Sequence, residues 1–152
     1  MFNVRVYGIL INVKKQILLS DEFIRGKYYT KFPGGGLEIG EGTRDCLKRE
    51  FIEEMNLNVE VGEHIYTTDF YQRSAFNPTD QIISIYYFVK PLEPITFSLT
   101  NTVFDFTEDQ LKIYKDKSEI ETFRFADLNT FSDKDVSLPI DKIVATIIEG
   151  KY

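Results

Sequence analysis

The sequence contains one cysteine, Cys46, one histidine, His64, two methionines and no tryptophan. A single thiol excludes an internal disulfide, and a single histidine excludes a metal site built from several imidazoles. No apolar run reaches the ~20 residues that a membrane-crossing helix requires, and the opening Met1-Phe2-Asn3-Val4-Arg5 lacks the basic-then-apolar order of a secretory signal. The expected setting is the cytoplasm, with no membrane partner. Basic residues are also in the minority: 18 Lys and Arg against 24 Asp and Glu give a net charge of -6. That balance argues against an extended nucleic acid as partner. It leaves open a small anionic ligand that arrives with divalent cations, whose charge reverses the field of an acidic site.

The 152 residues, 43% hydrophobic and 28% charged, suit one domain spanning 1–152. A chain of this length buries roughly 70% of the surface it exposes unfolded, enough for a core without covalent staples. Val4 to Val13 and Gln16 to Ser20 are β-prone runs separated by Lys14-Lys15, a spacing that predicts a hairpin. Lys27 to Phe32 predicts a strand, and Pro33-Gly34-Gly35-Gly36 a sharp loop. Leu47, Phe51 and Met55 recur every fourth residue, predicting a helix from Arg44 to Met55 with Thr43 as cap and Asn56 as its left-handed end. Val59 to Gln72 and Gln81 to Lys90 predict strands around the turn Asn77-Pro78-Thr79-Asp80. The stretch from Pro91 to Ser118 carries no clear period. Glu121, Phe123 and Phe125 alternate with Thr122 and Arg124 as a last strand would. Ile140, Ile143, Val144, Ile147 and Ile148 follow helical spacing, with Pro139 in the first turn and Gly150 at the stop. Helices must bury their stripes on a sheet, so the class is mixed α/β or α+β.

The segment with chemical content runs from Gly35 to Leu57. Residues three and four apart are neighbours on a helix, so Glu50, Glu53 and Glu54 project from one face. Like charges packed together call for a positive partner, and hard divalent cations prefer oxygen ligands. Glycines beside that helix leave backbone carbonyls and amides open to a metal or a phosphate. Arg49 is placed to pair with Glu41 and hold the loop to the helix.

These residues resemble a known signature. Gly35, Glu41, Arg49-Glu50, apolar Phe51, Glu53-Glu54 and apolar Leu57 match the Nudix box, G-x5-E-x7-R-E-U-x-E-E-x-G-U, with Phe32-Pro33-Gly34 as its usual entry. Asn56 stands where the family has glycine, and as the next-best left-handed residue it preserves the helix end. The resemblance implies an α/β/α sandwich with a mixed central sheet, the Arg44–Met55 helix on one side and the C-terminal helix on the other. It also implies a Mg²⁺- or Mn²⁺-dependent pyrophosphohydrolase acting on a nucleoside diphosphate linked to another moiety. Glu50 and Glu54 would be the principal metal ligands, Glu53 a further ligand or the group that orients water, the Gly34 carbonyl an added ligand, and Glu41 with Arg49 the structural pair. Glu53 is the first choice for general base, with Glu119, Glu121, Glu108 and Asp109 as alternatives. Gly34, Gly35 and Gly36 would approach substrate, and Arg25, Lys27 and Lys31 are candidates to steer its phosphates. A catalytically silent nucleotide-binding module is the alternative function, although such a module would be expected to have lost box carboxylates, and a homodimer is a reasonable assembly.

Three further readings concern single residue types. Cys46, without a matching thiol, is expected to pack rather than react. His64 is expected to be structural or exposed. Of nine Tyr and thirteen Phe, Tyr66, Phe70, Tyr71, Tyr86 and Tyr87 fall on the expected strands, where core packing is the default and a base-stacking wall the alternative.

Overall fold

The computed structural model describes residues 1–152 and has three α-helices and two four-stranded sheets, each mixed in strand direction. The class is α/β, as expected, with the strands divided between two sheets rather than joined in one. Contacts group the chain into two units: Met1–Leu10 with Pro33–Phe97, and Ile11–Phe32 with Ser98–Tyr152.

The first unit contains β1 (Phe2–Leu10), β4 (Gly34–Gly36), α1 (Thr43–Met55), β5 (Val59–Thr67) and β6 (Gln81–Pro91). Its sheet runs β4-β1-β6-β5, with β1 and β6 parallel and the other pairs antiparallel. Cys46, Leu47, Phe51 and Met55 are the buried residues of α1, the stripe that its four-residue period predicted, extended by Cys46. Asn56 ends the helix at φ 50°, and its N–H reaches the Ile52 carbonyl, which the helix would otherwise leave unpaired. Thr43 does not cap. Gly42 holds the cap position without a side-chain bond, and the Thr43 hydroxyl meets the Tyr87 hydroxyl at 2.7 Å. Phe70 and Tyr71 lie beyond the end of β5, 40% and 69% exposed, whereas Tyr86 is fully buried. At the far end of that connection the expected Asn77–Asp80 turn forms, with Asp80 N–H donating to the Asn77 carbonyl at 3.0 Å.

The second unit contains β2 (Gln16–Ile24), β3 (Lys27–Lys31), β7 (Leu99–Thr100), α2 (Glu108–Lys117), β8 (Glu119–Asp127), a 3₁₀ turn (Asp133–Asp135) and α3 (Pro139–Lys151). Its sheet runs β3-β2-β8-β7, with only the β7–β8 pair parallel. The hairpin expected between β1 and β2 is therefore corrected. The turn closes locally, with Asn12 N–H on the Gln16 carbonyl and one bridge between Ile11 and Ile17. No ladder follows, because β1 takes β4 and β6 as partners while β2 takes β3 and β8. The stretch without a period holds α2, closed at its start by reciprocal bonds between Thr107 and Gln110. No α2 residue is fully buried. Tyr114 instead stacks at 4.1 Å on Phe23, which also stacks on Tyr28 at 4.3 Å. At the other end of the chain α3 runs through Gly150, the position expected to stop it.

Asp21, with no solvent exposure, accepts from Arg124 Nε at 2.7 Å, Thr30 Oγ1 at 2.8 Å and Phe104 N at 3.2 Å. A buried carboxylate is tolerable only when paired and hydrogen-bonded in this way.

Gly8 shows how closely α1 lies on its sheet. A Cβ there would meet two Phe51 ring atoms at 2.8 and 2.9 Å and a Val89 methyl at 3.1 Å. Gly8→Ala is expected to destabilise the protein by about 1–3 kcal/mol, the usual result of overpacking a filled interior, read as a lower urea midpoint with an unchanged slope. An unchanged midpoint would show that α1 does not press on this strand.

Candidate active site

The glycine segment is not a free loop. Gly34–Gly36 forms β4, paired antiparallel with Tyr7, Val6 and Arg5 of β1, and this corrects the sequence expectation. Pairing beside α1 sets Gly35 against the Glu50 side chain: a Cβ there would collide with the Glu50 carboxylate and displace it. Glu50 thus occupies the space that an alanine methyl would take, and its side chain is only 12% exposed.

Arg49 organises the rest. Its Nε and Nη2 grip Glu41 side-on at 3.0 and 2.7 Å, and Nη2 also donates to the Gly36 carbonyl at 3.0 Å. Nη1 donates to Glu50 at 2.9 Å and Glu53 at 3.2 Å, with Glu38 at 3.7 Å beyond. All five guanidinium N–H groups are engaged. Glu41 also receives the Glu38 backbone N–H at 2.9 Å, so the turn between β4 and α1 is tied to the helix at two points. The Arg49 hydrogen bonds and the Glu38 amide hold the Glu41 carboxyl down at about 2, and the carboxylates in turn raise Arg49 further.

Four carboxylates, Glu38, Glu41, Glu50 and Glu53, therefore face one cation. The structure brings Glu50 and Glu53 together through Arg49. Glu54, half-buried, lies one turn beyond Glu50 on the same helix. No three His, Cys, Asp or Glu side chains close into a ready-made metal cage. The donors present are carboxylate and carbonyl oxygens in strong negative excess, the set that a hard divalent cation prefers, so these residues fit such an ion.

One participant, Glu38, escaped sequence reading. Glu38 lies in the variable stretch of the box, and only its place three residues before Glu41 hinted at a role. The Cys46 thiol donates weakly to the Gly36 carbonyl at 3.5 Å and lies 3.7 Å from Arg49 Nη2. Burial and then Glu41 push that thiol up to about 12, which keeps it un-ionised, in line with a packing role. Among the other candidates, Glu119, Glu108 and Asp109 are exposed, and Glu121 is half-buried on β8. Arg25 is exposed in the β2–β3 turn, whereas Lys31 is 7% exposed and paired with Glu22 at 3.1 Å. His64, exposed, meets the Thr67 hydroxyl at 2.8 Å.

A description of the NUDIX domain matches residues 1–146, and the chain belongs to the Nudix family of hydrolases, which act on phosphoanhydride bonds and typically use divalent metals. Solved structures share its fold at low identity. The MutT protein of Methanosarcina mazei is 14% identical with a TM-score of 0.67, covering 99% of this chain and 94% of its own. A MutT of methicillin-resistant Staphylococcus aureus, named as a Nudix hydrolase, is 20% identical with a TM-score of 0.58, covering 100% and 98%. An ADP-ribose pyrophosphatase of Streptococcus suis is 15% identical with a TM-score of 0.56, covering 98% and 91%. No curated protein gives a match. In addition, no helix is long and apolar enough to cross a membrane.

Two predictions follow from the geometry. Gly35→Ala is expected to displace the Glu50 carboxylate and weaken Mn²⁺ binding at least tenfold by calorimetry; unaltered affinity would remove Glu50 from the ligand set. The Glu41 carboxyl is lowered from its ordinary 4.5 to about 2 in the folded chain. A depressed carboxyl contributes stability above its unfolded value and loses that contribution as pH falls through the folded one. Glu41→Gln should therefore flatten the pH dependence of the urea midpoint between about 4.5 and 2. An identical acid limb in both proteins would contradict the pairing.

Proposed function

We propose that the chain is a divalent-cation-dependent pyrophosphohydrolase that cleaves the diphosphate linkage of a nucleoside diphosphate joined to another moiety. The observation that carries this reading is the cluster in which Arg49 faces Glu38, Glu41, Glu50 and Glu53 beside a glycine that leaves room for Glu50. Such an excess of carboxylate is unfavourable for folding alone and becomes useful where a cation and a phosphate chain must meet. The family match runs over residues of both contact units, which supports reading 1–152 as one domain.

In this mechanism Glu50 and Glu54, with the Gly34 carbonyl, would hold Mg²⁺ or Mn²⁺, with Glu53 a further ligand or the group that orients water. When bound, the ion neutralises diphosphate oxygens and lowers the pKa of water. Arg49 and Glu41 keep the acidic helix and the glycine strand in register, so the carboxylates need not reorganise as substrate arrives. Glu53, whose side chain is 57% exposed, is reachable by solvent water and, as the base in this reading, accepts its proton as the oxygen attacks phosphorus, while the bond from that phosphorus to the bridging oxygen breaks and the bridging oxygen leaves on the departing phosphate with the electron pair.

The test is phosphate release from nucleoside triphosphates, dinucleotides, nucleotide sugars and ADP-ribose, with Mg²⁺, with Mn²⁺ and with chelator. Glu53→Gln and Glu54→Gln should each lower kcat by roughly 100-fold or more, the usual scale for removing an acid–base or metal-bound carboxylate, with the circular dichroism spectrum unchanged. Undiminished turnover in both variants, or turnover indifferent to chelator, would refute the assignment. Binding of nucleotide without turnover would favour a silent module instead.

A further inference from the structure

Gly42, at the cap position of α1, supplies no side-chain bond to the first turn of the helix. Two contacts with the neighbouring strands hold that turn instead. The hydroxyls of Thr43 and Tyr87 share a hydrogen bond of 2.7 Å, and Tyr87, on β6, is 9% exposed. The Arg44 guanidinium lies over the Tyr87 ring, 4.7 Å from its centre, and Nη1 donates to the Val61 and Gly62 carbonyls at 2.8 and 2.9 Å.

The second contact accounts for an irregularity in β5. Successive carbonyls of a regular strand point to opposite sides, so one nitrogen does not ordinarily reach two neighbours. The β5–β6 register shifts between Val61 and His64, and a bulge of this kind re-aims the backbone. Both carbonyls then meet one guanidinium. His64 approaches the Tyr87 ring edge-on at 5.7 Å. With its face on Arg44, its edge on His64 and its hydroxyl on Thr43, Tyr87 is fixed in direction as well as in place.

The residues held here share the helix surface with the carboxylates. Thr43, Glu50 and Glu54 follow the spacing i, i+7, i+11, which sets them along one line of α1. Arg44 and Phe51, also seven apart, share the next line. Apolar attraction holds α1 on its sheet but is non-directional, whereas a hydrogen bond weakens steeply away from its line. A helix with its side chains has a radius of about 5–6 Å, so a rotation of about 10° moves a carboxylate by about 1 Å. That is large beside the tolerance of a metal site, where ligand distances hold within about 0.2 Å.

We propose that Tyr87 is a positioning residue for the acidic face: through Thr43 and Arg44 it fixes the rotation of α1 about its axis, and with it the direction in which Glu50 and Glu54 project. The proposal rests on the reading of those two carboxylates as divalent-cation ligands and adds what aims them from the start of the helix. Arg49 secures Glu50 from the side of the glycine strand. Tyr87 acts only through the helix.

The test is calorimetric Mn²⁺ binding to the full chain carrying Tyr87→Phe, Thr43→Val or both, each change removing one hydroxyl with little change of shape. Each single variant is expected to bind Mn²⁺ about tenfold more weakly, the lower end of what losing an orienting partner costs a metal site. Because the two hydroxyls share one hydrogen bond, the double variant should also lose about tenfold, not about a hundredfold. A contact that only supports the fold would lower the urea midpoint and leave the Mn²⁺ affinity of the folded chain unchanged, and that result overturns the proposal. So does a double variant that loses the product of the two single effects. Turnover keeps this role apart from the hydrolase reading. Weakened Mn²⁺ binding in the variants of a chain that turns over no nucleotide sinks the hydrolase alone, and metal-dependent turnover with unweakened Mn²⁺ binding sinks this role alone. No Mn²⁺ binding by the natural chain removes both.

Discussion

The unit that carries the Nudix box depends on one guanidinium being fully used. Arg49 has five N–H groups, and the structure spends three on the scaffold, at Glu41 and the Gly36 carbonyl, and two on the carboxylates proposed to face the cation. The planar fork makes this division possible, because Nε and Nη2 point one way and Nη1 another. A lysine could match the charge but not both directions. The same side chain therefore sets where the glycine strand lies and where Glu50 and Glu53 lie.

The second constraint is space. Gly8 lets Phe51 rest on β1, and Gly35 lets the Glu50 carboxylate rest against β4. Phe51 and Glu50 are adjacent in α1, so one residue sets the helix into the interior while the next sets its charge against the edge strand. Both placements need a strand residue without a side chain. Cys46 belongs to the same seam, since it lies one turn before Arg49 and touches the carbonyl that Arg49 also holds.

Local features were legible in the sequence and pairing was not. The four-residue recurrence of Leu47, Phe51 and Met55 and the left-handed tolerance of Asn56 are properties of the segment itself, and both appear in α1. Partners of a strand are chosen by distant residues. Nothing between Val4 and Ser20 says that β1 prefers β4 and β6 over the strand that follows it. Three consecutive glycines look like a loop for the same reason: their strand character comes entirely from the backbone of β1. The helix α2 was hidden because it buries no residue and so has no apolar stripe. Its one local signal was Thr107 three residues before Gln110, the signature of a capping box. Within the box, Glu41 and Arg49 met as expected. Glu38 was missed because its role arises from the bend of the turn and not from any spacing along a helix.

β2 carries the two kinds of charge that proteins bury, one residue apart. Asp21 points to one face, where Arg124, Thr30 and the Phe104 amide close it completely, and its three donors come from β8, β3 and the segment after β7. That carboxylate is a joint, and its satisfaction is internal. Glu22 points to the other face, beside a lysine and opposite a second glutamate, with part of its surface still in solvent. Alternation along a strand makes the two independent, since a change on one face leaves the other's contacts in place. Evolution could therefore vary the Glu22 face without loosening the sheet that Asp21 holds.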